Sequence, residues 1–393
     1  MPGPLEGRRI WFAGIGGAGL SGYALLAKAW GAEVAGWDKV ETPYLTQLEG
    51  VPIEISPTPT APGGWEVVRS TAYEDQIEGK PRADILAELV SLQPSIVVAG
   101  SHGKTTTTAM IAFCLDRLGN DPSFLIGGEV PQLGGSARAG TGWLVVEGDE
   151  SDRTVSRLEA QVAVVTNVDL DHPQEFGSSA EVEELFASWL AGVPNVVRGE
   201  ELEPAELELG VPGEHNRRNA AAALAALELA GIPRSDAESV LPEFRGVGRR
   251  LEQRGEAGGV HVVDSYAHHP AEIAADLEAL RDGGRLLVLF QPHLFSRTRR
   301  LAWEFGEALA SADVVAVTDV YQARDEPHVE VVSGKRVVEA LAERRPGMPV
   351  AWMPSIEEGA RFVAQRARPG DSVLTFGAGD VDRAVPLLLE ALA

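Results

Sequence analysis

The sequence is short of cysteine, of positive charge and of long apolar runs, and each shortage removes a class of protein. A single cysteine, Cys114, stands in 393 residues. No intramolecular disulfide can form, and the chain suits a reducing compartment. Cys114 falls on the apolar face of an expected helix, so it reads as a packing residue. Lysine and arginine number 34 against 58 acids, a net charge of −24. That balance argues against nucleic acid or an anionic membrane as the main partner, though not against small anionic substrates where basic groups cluster. No stretch approaches the roughly 20 apolar residues of a membrane helix. The opening MPGPLEGRR has no signal-peptide hydrophobic region, so a soluble, cytoplasmic protein is expected. No short repeat and no low-complexity tract is present. What remains is a globular composition, 44% hydrophobic and 23% charged, on a chain long enough for two or three domains.

The chemistry starts at Ser95–Thr108, SIVVAGSHGKTTTT. The apolar run Ile96-Val97-Val98 predicts a buried strand. It stops at Gly100-Ser101-His102-Gly103-Lys104-Thr105-Thr106, and Met110, Ile111, Phe113, Cys114 and Leu118 predict a helix. Strand, glycine loop, Lys-Thr and helix form the order a phosphate cradle needs: backbone N–H groups and the helix terminus face a triphosphate, and Lys104 reaches its end. The Thr105 hydroxyl is placed for Mg²⁺. Val98 occupies the position of the first glycine of the full loop pattern, so this is a shortened variant. The loop is read as an ATP-type nucleotide site.

A second glycine loop precedes it. Arg9–Ala13 reads as a strand running into Gly14-Ile15-Gly16-Gly17-Ala18-Gly19, then a helix, then a strand from Glu33 to Trp37 ending at Asp38. This is the dinucleotide-type βαβ fingerprint, with Asp38 either a ribose ligand or a turn residue. Ser70 follows a short strand at Trp65–Val68 and is placed to approach a ligand. Residues 50–68 otherwise read as loop. A helix over Arg82–Ser91 sets the first boundary near residue 93.

Further on, the strand Trp143–Val146 ends in Glu147-Gly148-Asp149-Glu150-Ser151-Asp152, and Val162–Thr166 ends in Asn167 and Asp171-His172. Carboxylates at the C-terminal ends of parallel strands sit where open α/β sheets bind ligands. Asn216 and Asn219 share one face at the start of an Ala-rich helix, where Asn216 either caps the helix or meets a ligand. Residues 231–245 read as punctuation and linker. Four later strands end in Asp264-Ser265-Tyr266-Ala267-His268-His269-Pro270, Gln291-Pro292-His293-Leu294, Asp319-Val320-Tyr321 and Gly377-Ala378-Gly379-Asp380, so one sheet edge carries the polar groups. The expected architecture is α/β in three domains, 1–93, 94–243 and 244–393. Two nucleotide loops on one chain argue against a plain dehydrogenase or a plain NTPase and for an ATP-driven transfer or ligation.

These strings, with Arg249-Arg250 and Arg297-Thr298-Arg299, resemble the Mur ligase family in order along essentially the whole chain. The third-domain strings are most similar to members that join L-alanine to UDP-N-acetylmuramate. The resemblance implies a Rossmann-like UDP-binding domain, a P-loop ATPase-like central domain and a Rossmann-like C-terminal domain. It implies ATP and Mg²⁺ as cofactors, UDP-N-acetylmuramate and L-alanine as substrates, and activation of the lactyl carboxylate as an acyl phosphate in peptidoglycan precursor synthesis. Carried over residue by residue, the loop Gly14, Gly16, Gly17, Ala18 and Gly19, with Asp38 and Ser70, holds the UDP substrate. Gly100–Thr106 with Asn216, Arg250 and Asp264 holds ATP. Thr105, Glu147 and His172 hold metal, Lys104, His268 and Arg297 act in the chemistry, and His293 with Arg297 binds the amino acid. Two departures stand out: Leu294 replaces an arginine of the family pattern, and Asp-Asp-Tyr-Gly becomes Asp264-Ser265-Tyr266-Ala267. The segment between His172 and His215 is also short for the family. The alternatives are a sister ligase attaching a recycled peptide, a non-catalytic nucleotide sensor or scaffold, and an NAD oxidoreductase. A monomer or weak dimer is expected.

Overall fold

The computed structural model describes residues 3–169, 176–323 and 330–393 and contains three sheets. The first is built from β1 (Arg9–Ala13), β2 (Glu33–Asp38), β3 (Ile53–Ile55), β4 (Glu66–Arg69) and β5 (Lys80–Pro81) in the order β3-β2-β1-β4-β5, with every pair parallel. The second holds β6 (Ser95–Ala99), β7 (Ser123–Val130), β8 (Gly135–Arg138), β9 (Leu144–Glu147), β10 (Val162–Val165) and β11 (Asn195–Arg198). Its order is β11-β10-β6-β9-β7-β8, parallel except for β7 with β8. The third holds β12 (Glu252–Ala257), β13 (Val260–Ser265), β14 (Leu286–Phe290), β15 (Val314–Val317), β16 (Val350–Trp352) and β17 (Ser372–Phe376). It runs β12-β13-β17-β14-β15-β16, with β12 antiparallel to β13.

The central strands are mostly apolar because they are buried on both faces. All five residues of β6, of β14 and of β17 are buried. The chain divides into two compact units. One comprises Met1–Gly210 with Asn216–Arg245, the other Val211–His215 with Gly246–Ala393. Within the first unit the two sheets share a core. Gly22 of the Ala18–Ala29 helix lies against Leu125 and Ala137 of the second sheet, leaving no space for a side chain. Arg82, heading the Arg82–Ser91 helix, pairs with Asp149 at 3.1 Å and Asp152 at 2.5 Å.

Residues 231–245, expected as linker, contain a helix over Arg234–Val240 followed by a short 3-10 turn. The Ala-rich helix starts at Glu214, so Asn216 occupies its first turn and is not its cap. Cys114 is fully buried, and burial pushes its thiol up to about 12, consistent with an inert packing role. Among the described residues no helix is long and apolar enough to cross a membrane.

Candidate active site

In the first unit, β6 ends at Ala99 and the chain turns through Gly100 (φ +127°) to Gly103 (φ +81°), which precedes the Lys104–Arg117 helix. Both glycines are forced by their neighbours. A Cβ at Gly100 would strike Thr166, and one at Gly103 would strike the Asn219 side chain. The loop is fastened to the end of β10 by its main chain. Thr166 Oγ1 and Asn167 Nδ2 donate to the His102 carbonyl at 2.6 and 2.9 Å, and the His102 N–H donates to Asn167 Oδ1 at 2.8 Å. Ser101 is held likewise: its hydroxyl donates to the Asp169 carbonyl at 2.8 Å and accepts from the Asp169 N–H at 2.7 Å. Gly103→Ala combines a left-handed φ with this collision. It is expected to raise the ATP KM at least about tenfold, checked by steady-state kinetics, since the αL region alone costs about 1–2 kcal/mol.

Lys104 Nζ reaches back over the loop, donating to the Gly100 carbonyl at 2.5 Å and to Glu150 Oε1 at 3.0 Å. Burial opposes its charge, but Glu150, Glu147 and Asp149 outweigh that and hold its pKa above the ordinary lysine value. Beside it Thr105 Oγ1 donates to Glu147 Oε1 at 3.0 Å, while Glu147 Oε2 accepts the Gly127 N–H at 2.9 Å. Asn216 and Asn219 are brought together as their spacing predicts, Asn219 Nδ2 donating to Asn216 Oδ1 at 3.3 Å, with Asn219 against Gly103. The hydroxyl of Thr105 and the carboxylate of Glu147 are hard oxygen donors at a phosphate loop, a set that suits Mg²⁺ completed by water and phosphate oxygens. His172 lies outside the described residues. Among those residues no cluster of three or more metal-binding side chains occurs.

At the first sheet's edge, Gly14 (φ +86°) leads the other glycine loop from β1 into the Ala18–Ala29 helix. Asp38 is buried beneath it, accepting from the Gly16 N–H at 2.8 Å, the Lys39 N–H at 2.7 Å and the Tyr73 hydroxyl at 3.2 Å. Its carboxylate therefore shapes the loop from below. Ser70 and Tyr73 pack on Gly14, and burial followed by the Asp38 charge raises the Tyr73 pKa.

In the second unit, β13, β14, β15 and β17 deliver their polar ends to one edge. Asp264 is fully buried. It accepts from Arg249 Nε at 2.9 Å and from the Thr375 hydroxyl at 2.5 Å. Burial raises its pKa, opposed by Arg249. Asp264 thus stands behind Arg249, whose other nitrogens donate to the Gly379 and Gly377 carbonyls at 3.0 and 2.8 Å. Arg250 instead pairs with Glu272 at 3.4 Å, and both arginines lie over the Tyr266 ring, Arg249 at 5.3 Å and Arg250 at 5.4 Å. Arg249→Ala leaves Asp264 without this cation. It is expected to destabilise the unit by about 3–5 kcal/mol in denaturant unfolding, with partial recovery in Arg249→Ala/Asp264→Asn. His268 and His293 meet edge to face with ring centres 5.6 Å apart, and Arg297, buried, brings Nη1 to 3.4 Å from His293 Nδ1. Leu294 is buried with φ +67° and caps the Phe295–Leu309 helix.

Comparison with known proteins places these motifs. The family model "Mur ligase middle domain" matches residues 98–197, and "Mur ligase, glutamate ligase domain" matches 249–379. A UDP-N-acetylmuramate–L-alanine ligase of Rubrobacter xylanophilus is 38% identical, with 98% of this chain and 100% of that protein covered. The chain belongs to the Mur ligase family. A second relative of that name, from Streptomyces coelicolor, is 40% identical over 98% of both chains. The solved UDP-N-acetylmuramate-alanine ligase of Thermotoga maritima matches with a TM-score of 0.80 at 26% identity, covering 97% of this chain and 98% of that one. The pairings that fasten this Mur ligase's site were not read from sequence. Glu150 under Lys104, Thr166 and Asn167 on His102, Asn219 under Gly103, and Arg249 on Asp264 are all long-range pairs. Glu150, Thr166, Asn167 and Arg249 stood out only as members of polar strings, and Asn219 only as the neighbour of Asn216 on a helix face.

Proposed function

We propose that this Mur ligase joins L-alanine to the lactyl carboxylate of UDP-N-acetylmuramate, giving the amide, ADP and phosphate. The chain then carries a UDP-substrate region at 1–93, an ATP region at 94–243 and an amino-acid region at 244–393, acting in the cytoplasm where these nucleotides are made. A carboxylate is a poor electrophile, so its oxygen first bonds to the γ-phosphorus as the β–γ bridge breaks. The L-alanine amine then attacks the carbonyl carbon of the acyl phosphate, phosphate leaves with the carboxylate oxygen, and the amine releases its proton.

The observation that carries this reading is the constellation at one helix terminus: Lys104 Nζ over the glycine loop, with Thr105 and Glu147 joined beside it at 3.0 Å. Gly100, Ser101, His102, Gly103 and Thr106 offer backbone and hydroxyl groups to the triphosphate, and Lys104 neutralises charge as it moves to the γ-phosphoryl group. Thr105 and Glu147, with His172, would hold Mg²⁺, which when bound adds positive charge at the phosphoryl oxygens. Asn216 meets the adenine, and Arg250, with Asp264 acting through Arg249, serves the nucleotide from the C-terminal unit. The loop Gly14–Gly19 receives the UDP diphosphate, while Asp38 and Ser70 set its shape. His268, His293 and Arg297 face the incoming amino acid and the oxyanion formed on attack. Phosphate release measured with UDP-N-acetylmuramate and a panel of L-alanine, glycine, L-serine and a murein tripeptide tests the assignment. L-Alanine should give the highest kcat/KM; release driven best by the tripeptide would refute it.

A further inference from the structure

The acid run at the end of β9, Glu147-Gly148-Asp149-Glu150-Ser151-Asp152, sets four carboxylates within six residues. Two of them serve the chemistry above: Glu147 joins Thr105, and Glu150 holds Lys104. Asp149 and Asp152 have no part in it. Each commits one oxygen to its own turn. Asp149 Oδ1 accepts the Ser151 N–H at 2.9 Å and the Ser151 hydroxyl at 2.6 Å, and Asp152 Oδ1 accepts the Thr154 N–H at 3.0 Å.

The second oxygen of each acid faces Arg82. Arg82 Nη2 donates to Asp149 Oδ2 at 3.1 Å and to Asp152 Oδ2 at 2.5 Å, and Nε donates to Asp152 Oδ2 at 3.1 Å. Arg82 heads the Arg82–Ser91 helix, and all of these groups belong to the first unit. Its remaining nitrogen, Nη1, makes no hydrogen bond among the described residues and lies 3.6 Å from the place of a Cβ on Gly19. Burial opposes the Asp149 charge, but the Ser151 hydrogen bonds and the Arg82 and Lys104 cations outweigh it and hold the pKa below the ordinary aspartate value.

Lys104 Nζ bonds both the Gly100 carbonyl and Glu150, so one ammonium joins the glycine loop to the acid run. A triphosphate on that loop therefore comes close to the run, and Lys104 must give up Glu150 to meet it. Carboxylates there without a cation hinder both steps. They repel the phosphates, and they hold the ammonium where it is. We propose that Arg82 is a positioning residue for ATP: it takes up the charges of Asp149 and Asp152, so that Lys104 is free to leave Glu150 for the triphosphate. This rests on the reading of Lys104 as the lysine that meets the phosphates.

Charge is what Arg82 supplies to the run. Arg82→Gln keeps a hydrogen-bond donor but no cation, and should raise the ATP KM about tenfold. Its kcat at saturating ATP, and its KM values for UDP-N-acetylmuramate and L-alanine, should stay within about threefold of the parent. Arg82→Lys loses the fork but keeps the cation, so its ATP KM should also stay within about threefold. The triple variant Arg82→Gln/Asp149→Asn/Asp152→Asn removes the cation together with the charges it matches, and the asparagine carbonyls can still accept from Ser151 and Thr154. Its ATP KM should return to within about threefold of the parent, although no ion pair then ties the helix to the turn. Salt acts in the same direction: the Arg82→Gln deficit should shrink severalfold between about 50 and about 500 mM KCl.

The experiment measures these constants by phosphate release in the full chain, in these variants and in Lys104→Ala, with the denaturant midpoint of each. An ATP KM raised in Arg82→Gln and restored both in Arg82→Lys and in the triple variant supports the role. An unchanged ATP KM in Arg82→Gln, where Lys104→Ala loses ligation, overturns the positioning role alone. Near-parent ligation by Lys104→Ala overturns both this role and the reading of the ATP loop. A raised KM for the UDP substrate with an unchanged ATP KM assigns Arg82 to the Gly14–Gly19 loop and overturns the proposal. An ATP KM that stays high in the triple variant, with a lowered denaturant midpoint, means that Arg82 serves only the fold.

Discussion

Lys104→Ala lowers kcat/KM for ligation at least about 10³-fold, about 4 kcal/mol of transition-state stabilisation, while UDP-N-acetylmuramate still binds. The lysine reaches over the Gly100–Gly103 turn, with Nζ at 2.5 Å from the Gly100 carbonyl and 3.0 Å from Glu150. Its attachment to Glu150 keeps it charged and poised beside the phosphate loop before ATP arrives. Truncation also leaves Glu150, only 2% exposed, without this cation, so part of the loss could be blamed on folding. The variant Lys104→Met/Glu150→Gln separates the two effects: stability in denaturant recovers and ligation does not. The loop Gly14–Gly19 lies at the end of β1, on a different sheet edge. Calorimetric titration of the UDP substrate should therefore give an affinity within about threefold of the parent, because no direct contact is removed.

Glu147→Gln is the second large effect, with kcat reduced about 10²- to 10³-fold and the Mg²⁺ requirement moved to about tenfold higher concentration. Glu147 does two things from the end of β9. It accepts from Thr105 and from the Gly127 N–H, and it brings a negative charge to the hydroxyl that sits at the helix terminus. Glutamine can keep one acceptor and nearly the same volume but brings no charge, so the fold survives and metal affinity does not. Activity measured across a Mg²⁺ titration distinguishes this from a general loss of ATP binding. An unchanged Mg²⁺ midpoint with a lower kcat would place Glu147 outside the metal site.

What could be read from the sequence follows from where information is local. β6, β14 and β17 announce themselves because strands buried on both faces are mostly apolar, with Ser95, Ser372 and Thr375 the exceptions. β3 and β12 did not, because both are half-exposed edge strands: β3, IEI, is only three residues long, and β12, EQRGEA, is polar enough to look like loop. The Arg234–Val240 helix is seven residues long and follows a proline, which reads as punctuation. The two glycine loops were legible because a turn that lets backbone approach phosphate demands glycine at fixed offsets. The pairs that hold those loops were not. Gly103 with Asn219 and Lys104 with Glu150 depend on which strand lies next to which, and strand order is not written in any single window. Arg249 illustrates the limit. Adjacent arginines gave no sign that one bonds the buried Asp264 while its neighbour pairs with Glu272.

The central claim is that Lys104, Thr105 and Glu147 serve to turn an unreactive lactyl acid into an acyl phosphate, from which an amine can displace phosphate. UDP-N-acetylmuramate labelled with ¹⁸O in that carboxylate, converted with ATP and L-alanine, tests this at the bond concerned. The account predicts one label atom in the phosphate released with each amide formed. Amide and ADP produced with unlabelled phosphate would contradict it.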